Sequence, residues 1–303
     1  MAPGSNTVLH GHEDKYAVIA SIRAQTLAKF PLGLTHQDEI IQIPSRDTGR
    51  FIKAHFYRSK CNAPASTPLL INFHGSGFVI PFHGSDDEFA RHITTTTNYA
   101  VLDVAYRLAP ENPFPAALED VEDAVGWVRS QPQHFDISNL TISGFSAGAN
   151  LALVASSQIC PEGTFQRVIL FYPTTDFAKD SAAKFAPDQS GSPVPAELLN
   201  LFRDCYVPAG VDLHDPRISP SHMDMGRFPS RVLAFTCARD NLCEEVEVLL
   251  KKVEGCPGKV VTHFRLDKCD HAWDKSCEAN TVQEKEKFEA YETVTRFLTG
   301  KLD

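Results

Sequence analysis

A serine stands between two glycines in the stretch LTISGFSAGANLALVAS, residues 140–156. A run suited to a β-strand precedes this serine, Ser146, and an alanine-rich run suited to a helix follows it. Each glycine costs conformational entropy on folding, so a strand that simply led into a helix would gain nothing from Gly144 and Gly148. In this context the pattern G-x-S-x-G predicts a sharp strand-to-helix turn that lifts a serine hydroxyl clear of a sheet.

A serine hydroxyl is a weak nucleophile near neutral pH, so its catalytic use requires a histidine to take its proton and an acid to orient that histidine. In the fold that uses this turn, the acid and then the histidine follow the serine, each just beyond a strand end. Asp240 follows the apolar segment RVLAFTCAR, and His271 follows KVVTHFRLDKC. We therefore predict that Ser146 is the nucleophile, His271 the base and Asp240 the orienting acid.

Other histidines and acids after the serine compete less well for these roles. His263 falls in the middle of a predicted strand, and Asp176 follows an earlier strand than the one that usually carries the acid. The weaker candidates are His214, His222, His263, Asp176, Asp267 and Asp270.

Acyl transfer also needs backbone N–H donors aimed at the oxygen on which negative charge develops. The segment His74–Phe78, with the sequence HGSGF, directly follows the apolar stretch PLLINF, and its small residues let a backbone approach a substrate. The N–H of Ala147, just after the serine, is the expected further donor.

Strand-like and helix-like segments alternate from about residue 67 to the end, which is typical of a parallel sheet with crossover helices. Two earlier segments, EIIQIPS and FIKAHFYRS, resemble an antiparallel edge pair. The other predicted strands are PLLINFHG, YAVLDVAYR, LTISGFS, RVILFYP, RVLAFTCAR and KVVTHFRLD. The pattern predicts an α/β protein with a central, mostly parallel eight-stranded sheet flanked by helices.

Two regions fall outside this alternation and predict a helical cap. Residues 1–38 carry an amphipathic segment, and residues 176–228 hold a Pro- and Ser-rich loop around the helical stretch PAELLNLFRDCYV. Insertions of this length usually form lids or binding loops. The predicted core therefore has two parts, residues 39–175 and 229–303.

Composition excludes several classes of partner. The formal net charge of −9 over 303 residues gives no basic field for nucleic acid. No run approaches the ~18 apolar residues of a membrane span, and the N-terminus lacks a signal-peptide pattern, so we expect a cytoplasmic protein. The eight cysteines form no C-x-x-C pair, and we expect neither a metal site nor a cofactor. The oligomeric state stays open, with a homodimer as one option.

Several ordered motifs together resemble the hormone-sensitive-lipase-like (family IV) branch of the α/β-hydrolases, a family of carboxylesterases. They are HGSGF, the run YRLAPENPFPAALED, GFSAGANLAL, DPRISP and DNLCEE, and they span roughly residues 67–275. The resemblance implies an α/β-hydrolase fold and a serine carboxylesterase with Ser146, His271 and Asp240 as its triad. It also implies that the N–H groups of Ser76, Gly77 and Ala147 form the oxyanion hole.

The chain departs from this family's pattern in two places. Ser76 stands where the family usually has glycine, and Phe145 stands where aspartate or threonine is frequent. Ser76 carries a hydroxyl into the oxyanion loop but leaves its N–H available, and Phe145 indicates an apolar wall behind the serine. The resemblance also implies that the run YRLAPE packs near the site, and we expect structural roles for Tyr106, Arg107 and Glu111.

The expected substrate is a short- to medium-acyl ester or an ester of an aromatic or secondary metabolite. An apolar, aromatic pocket would bind it. Its predicted lining residues are Phe78, Phe82, Phe145, Phe202 and Trp273. An amidase or aryl-formamidase, or a lyase or dehydratase, would use the same scaffold, whereas a non-catalytic receptor would be expected to lose the histidine.

Overall fold

The computed structural model describes residues 12–33, 35–61, 66–275 and 277–302. Its strands are β1 (Glu39–Pro44), β2 (Phe51–Tyr57), β3 (Thr67–Phe73), β4 (Ala100–Val104), β5 (Phe135–Phe145), β6 (Arg167–Phe171), β7 (Arg231–Cys237) and β8 (Val260–Leu266). Its α-helices are α1 (His12–Lys29), α2 (Asp87–Thr96), α3 (Ala116–Arg129), α4 (Ala147–Val154), α5 (Ala196–Tyr206), α6 (Cys243–Glu254) and α7 (Val282–Leu298).

The strands form one eight-stranded sheet in the order β1-β2-β4-β3-β5-β6-β7-β8. Only the pairs β1–β2 and β2–β4 are antiparallel, and every other neighbouring pair is parallel. The predicted fold class, a mostly parallel eight-stranded sheet with an antiparallel edge pair, is confirmed.

The core lies on both faces of the sheet. Successive strand residues point to opposite faces, so Leu69 and Ile71 of β3 join one buried apolar cluster while Leu70 joins the other. All five residues of β4 are buried, whereas β8 at the sheet edge is largely half-exposed. The continuous apolar runs of the central strands follow from this two-sided coverage.

Helix α2 is an element that the sequence pattern did not indicate. Its sequence, DEFARHITTT, ends in three threonines, whose β-branched side chains have low helix propensity. Burial of Phe89, Ala90, Ile93 and Thr94 overrides that weakness. Tertiary packing therefore forms a helix where local propensity is poor.

The two segments outside the alternation contact each other and the loops above the sheet. Nζ of Lys15 in α1 donates to the carbonyl oxygen of Asp204 in α5. Arg23 of α1 donates from Nε to the carbonyl oxygen of Val79 at 2.9 Å and forms a two-pronged ion pair with Glu111.

Residues 1–11 of the predicted N-terminal cap piece lie outside the described residues. Within the described ranges, no helix is both long and apolar enough to traverse a bilayer.

Candidate active site

Ser146 occupies the turn between β5 and α4 with φ 50° and ψ −116°. A positive φ is unfavourable for a residue with a side chain and persists only where the surroundings enforce it. The Ser146 N–H donates to the carbonyl oxygen of Phe171 at 2.9 Å, and its carbonyl accepts from the N–H of Asn150 at 3.1 Å. Hydrogen bonds on both sides thus hold the strained residue in place.

The two flanking glycines are required by close backbone contacts. A Cβ on Gly148 would lie 2.0 Å from the carbonyl oxygen of Phe73 at the end of β3. A Cβ on Gly144 would lie 2.3 Å from the backbone of Gly148. Real Cβ atoms do not approach backbone this closely, so α4 can begin directly over β3 and β5 only if both positions lack a side chain.

The structure brings Ser146, His271 and Asp240 together although they are far apart in sequence. Oγ of Ser146 lies 2.9 Å from Nε2 of His271. Nδ1 of His271 lies 2.7 Å from Oδ2 of Asp240, whose other oxygen accepts the N–H of Leu242 at 3.0 Å. Asp240 follows β7 and His271 follows β8, so the carboxyl ends of adjacent parallel strands place the acid beside the histidine.

These contacts fix the tautomer of His271. The ionised Asp240 carboxylate only accepts hydrogen bonds, so Nδ1 carries the proton and Nε2 is free to accept from the Ser146 hydroxyl. Burial by itself would lower the pKa of His271, but the charge and hydrogen bond of Asp240, with a contribution from Asp274, raise that pKa above its ordinary value. The arrangement therefore favours the protonated imidazolium that forms when a proton leaves the serine.

The loop between β3 and α2 also lies against the serine turn. A Cβ on Gly75 would lie 3.3 Å from the carbonyl oxygen of Phe145 and 3.6 Å from Cβ of Ser146. Gly77 and Phe78 both have positive φ, 56° and 63°. Within the described ranges, no hydrogen bond uses the backbone N–H of Ser76 or Gly77 as donor. These two N–H groups are therefore not committed to other acceptors in the described structure.

The Ser76 hydroxyl contacts the loop rather than the serine. Its Oγ lies 2.8 Å from the hydroxyl of Tyr106 and accepts the N–H of Phe78 at 2.8 Å. The Tyr106 hydroxyl donates to the carbonyl oxygen of His74 at 2.6 Å, so Ser76 supplies the proton in the first contact. The Ser76 hydroxyl and the Tyr106 ring therefore fix the backbone of this loop.

Beneath His271 lies a buried polar network that sequence reasoning missed. The Tyr172 ring meets the His271 ring edge-on, with 4.9 Å between centroids, and its hydroxyl donates to Asp274 at 2.5 Å. Nζ of Lys275 lies 2.7 Å from both Asp274 and Asp86. The sequence DHAWDK around His271 could have indicated this network. It places the charged residues Asp274 and Lys275 next to the predicted catalytic loop, and charged side chains must be paired if they are buried.

The five aromatic residues predicted to line a pocket do not lie together. Phe202 in α5 is half-buried and its ring lies against Gly77, since a Cβ there would be 2.3 Å from the ring. Phe82 is also half-buried, and Phe78 is buried with its ring stacked on Tyr206 at 3.8 Å. Phe145 and Trp273 are buried on the other face of the sheet from Phe78, in a separate core cluster.

Phe145 packs behind the serine and not around an open cavity. Side chains alternate between the two faces of β5, and Phe145 lies on the face that buries Phe171. Its ring stacks on Phe171 at 4.3 Å and lies 3.7 Å from Nζ of Lys275. Among the described residues, the loop and cap aromatics Phe202 and Phe82 are the predicted lining residues with exposed surface.

The competing histidines and acids have other partners. His263 Nε2 lies 2.8 Å from the Thr236 hydroxyl on the neighbouring strand β7. His222 Nε2 lies 3.4 Å from Asp176, which also accepts backbone N–H groups of its own turn. Asp270 accepts the N–H of Ser192 at 2.7 Å.

Comparisons with known proteins show the family to which the chain belongs. A protein family described by the alpha/beta hydrolase fold matches residues 70–275, more than half of the chain. The AB hydrolase superfamily protein C1039.03 of Schizosaccharomyces pombe is 27% identical over 248 residues, covering 74% of this chain and 73% of the relative. Ethyl acetate hydrolase of Pseudomonas putida is 29% identical over 188 residues, covering 59% of this chain and 58% of the relative.

Among solved structures, EstE1, a thermostable carboxylesterase cloned from a metagenomic library, superposes with a TM-score of 0.80 at 25% identity. The superposition covers 95% of this chain and 98% of EstE1. The structural match therefore extends over nearly the full length of both chains.

Proposed function

The chain belongs to the α/β-hydrolase family, and from that premise we propose that it is a carboxylic ester hydrolase that works through Ser146, His271 and Asp240. The observation that carries the proposal is the continuous hydrogen-bonded chain from the Ser146 hydroxyl through His271 to the Asp240 carboxylate. The two contacts connect a strained, accessible nucleophile to a histidine of fixed tautomer. This is the arrangement that acyl transfer requires.

In the first half of the reaction, Oγ of Ser146 attacks the ester carbonyl carbon while Nε2 of His271 takes the hydroxyl proton. The tetrahedral intermediate then breaks its bond to the alcohol oxygen, which leaves with that proton. In the second half, His271 removes a proton from water, whose oxygen attacks the acyl-serine. The acid product leaves and the proton returns to Ser146.

Negative charge on the carbonyl oxygen needs donors that are already oriented. We assign this role to the N–H groups of Ser76, Gly77 and Ala147, which lie on the loop and on the first residue of α4. The hydrogen bonds of Ser76 and Tyr106 support the assignment because they keep the loop backbone in one conformation before substrate binds. Removing one such donor typically costs about 10²–10³ in kcat.

The proposed substrate class, short- to medium-acyl esters, is supported by the residues around the loop. The Phe202 ring against Gly77 limits the space beside the proposed oxyanion donors, and Phe82 adds half-buried apolar surface nearby in sequence. A confined apolar space favours short to medium acyl groups over long ones. The relative named for ethyl acetate, a short-acyl ester, supports the same class.

We assign helix α1 and residues 176–228 to a cap over this site, with residues 39–175 and 229–303 as the core. The contact of Lys15 with Asp204 joins the two cap pieces. Arg23 joins α1 to the carbonyl oxygen of Val79, just after the oxyanion loop, and to that of Ala109 in the loop after β4. The cap is thereby connected to the loop that would stabilise the transition state.

A serine-reactive fluorophosphonate probe tests the assignment. Intact-mass measurement should show one adduct, and peptide mapping should place it on Ser146. The Ser146→Ala variant should lose the adduct and lower kcat on a p-nitrophenyl ester by several orders of magnitude while keeping its circular dichroism spectrum. Labelling of another serine, or an alanine variant with near-normal turnover, would overturn the proposal.

Matched esters and amides separate the esterase from its alternatives. An amidase or aryl-formamidase would turn over the anilide or formanilide faster than the corresponding phenyl ester. A lyase or dehydratase would react without accumulating an acyl-serine adduct. We expect ester turnover to exceed amide turnover for the same acyl group.

The cytoplasmic location and the homodimer remain predictions from the sequence. Fractionation of the source cells and analytical ultracentrifugation of the full chain test them separately.

A further inference from the structure

Three side chains beneath the oxyanion loop form a cluster that the proposed reaction does not use. His55 lies in β2 and Asp103 lies directly opposite it in β4, so both point to the same face of the sheet. His83 lies in the loop between β3 and α2, and its ring centroid is 4.0 Å from that of His55. One possible ligand atom from each residue falls within 4.8 Å of the other two.

The cluster has buried polar atoms without hydrogen bonds. His55 is 3% exposed and Asp103 is 1% exposed. Within the described ranges, Nδ1 of His55 has no hydrogen-bond partner. Oδ2 of Asp103 has no partner of normal geometry, although the Gly84 N–H contacts this carboxyl group and Nε2 of His83 lies 3.4 Å from Oδ2. Buried polar atoms are usually paired, so these two atoms are available to bind a further group.

The chemistry of the cluster is that of a transition-metal site. A neutral imidazole nitrogen coordinates a metal ion, and burial disfavours the charged form of a histidine. Two imidazoles and one carboxylate are a ligand set typical of Zn²⁺.

Neighbouring groups already orient the carboxylate. Nδ2 of Asn72 donates to Oδ1 of Asp103 at 2.8 Å, which leaves Oδ2 for a second partner. The side-chain amide oxygen of Asn72, Oδ1, in turn accepts from the Ser143 hydroxyl at 2.7 Å. Outer hydrogen bonds of this kind fix the ligand oxygen in metal sites.

We propose that His55, His83 and Asp103 bind a divalent transition-metal cation such as Zn²⁺ beneath the oxyanion loop. Nε2 of His83 lies 3.4 Å from Oδ2 of Asp103, close to the separation of two ligands about 2.1 Å from one tetrahedral ion. The His83 side chain is 12% exposed, which gives the cation a route from solvent. The fourth position is left to water.

Metal binding requires a change of tautomer at His83. Nε2 of His83 lies 3.0 Å from the carbonyl oxygen of Asp103, so in the metal-free protein it carries the proton and donates it. In the metal-bound form that proton moves to Nδ1 and the Nε2 lone pair binds the ion.

Cobalt titration tests the site with the full chain. Protein purified without metal-affinity steps is stripped with chelator, and Co²⁺ is added while the visible absorption is recorded. We expect intense d–d bands of a low-coordinate ion that saturate at one equivalent and are quenched by Zn²⁺. Zn²⁺ should also raise Tm.

Two kinds of variant localise the binding. H83Q and D103N each keep a polar side chain, and each should abolish the Co²⁺ bands and the Zn²⁺-induced rise in Tm. The matched control is H222A, because His222 lies beside His214 at the surface, with 4.8 Å between ring centroids, and represents adventitious binding. H222A should keep the bands unchanged.

Absence of low-coordinate bands in the unmodified protein overturns the proposal, whether or not any variant folds. The proposal is also overturned if H222A abolishes the Co²⁺ bands, or if H83Q and D103N leave them intact. The site is independent of esterase activity, since the readouts are spectroscopic and thermal.

Discussion

Oγ of Ser76 and the hydroxyl of Tyr106 lie 2.8 Å apart, and together they fix the loop that holds the proposed oxyanion donors. The Tyr106 ring also stacks on His74, with 4.5 Å between centroids. A hydroxyl that at first looks like an intrusion into the oxyanion loop therefore satisfies a backbone N–H and anchors the loop to a buried tyrosine.

Replacing Ser76 with alanine should destabilise this loop. The Phe78 N–H loses its acceptor in a buried environment, which costs about 1–3 kcal/mol. We expect the free energy of unfolding in urea to fall by that amount and kcat to fall more than KM rises. Ser157→Ala is the control, since that buried hydroxyl has no hydrogen-bond partner in the described part of the chain. Equal effects of both variants would contradict this role of Ser76.

Replacing Asp240 with asparagine should lower kcat by about 10⁴-fold, because the amide stabilises the wrong tautomer of His271. Asp176→Asn tests the alternative acid and should change kcat by less than about tenfold. Steady-state kinetics on one p-nitrophenyl ester distinguishes the two variants. A larger loss in Asp176→Asn would reassign the orienting acid.

The low-pH limb of kcat/KM should have its midpoint above the ordinary histidine value of about 6.5. Asp240 raises the pKa of His271, so activity is lost as pH falls through that raised pKa, where the imidazole becomes protonated and cannot accept a proton. Because the pKa of His271 is higher in the folded than in the unfolded state, it also stabilises the folded state. That stabilisation is complete at pH values below the unfolded-state pKa and is lost as pH rises through the folded-state pKa. A rate profile that stays flat down to pH 5 would be incompatible with His271 as base.

Replacing Gly148 with alanine should prevent stable folding or cost several kcal/mol, because its Cβ would meet the carbonyl oxygen of Phe73. Gly126 in α3 is the matched control, since a Cβ there has nothing within 4 Å. Gly126→Ala should stabilise the protein by about 0.5–1 kcal/mol. Thermal unfolding followed by circular dichroism measures both changes.

Replacing Phe202 with alanine should widen the space beside Gly77 and shift the acyl preference toward longer chains. We expect the ratio of kcat/KM for the octanoate and butyrate esters of p-nitrophenol to rise by roughly tenfold. Phe185, which is 63% exposed in the same segment, provides the control variant Phe185→Ala. An unchanged ratio in Phe202→Ala would remove this ring from the proposed pocket.

Much of the molecule follows from local sequence. The continuous apolar runs indicated the central strands, and the two glycines around Ser146 indicated the turn. Both features depend on residues that are adjacent in the chain. Helix α2 did not follow, because its threonines are poor helix formers and burial of Phe89 and Ile93 decides its conformation.

The sequence by itself determined the sheet, the serine turn and the order in which an acid and a histidine follow it, since each depends on neighbours along the chain. Only the tertiary structure decided which side chains meet. Phe145 packs in the core and Ser76 bonds to Tyr106. His55, His83 and Asp103 converge from two strands and a loop because contacts between distant segments depend on strand register and loop path, which residue type alone does not specify.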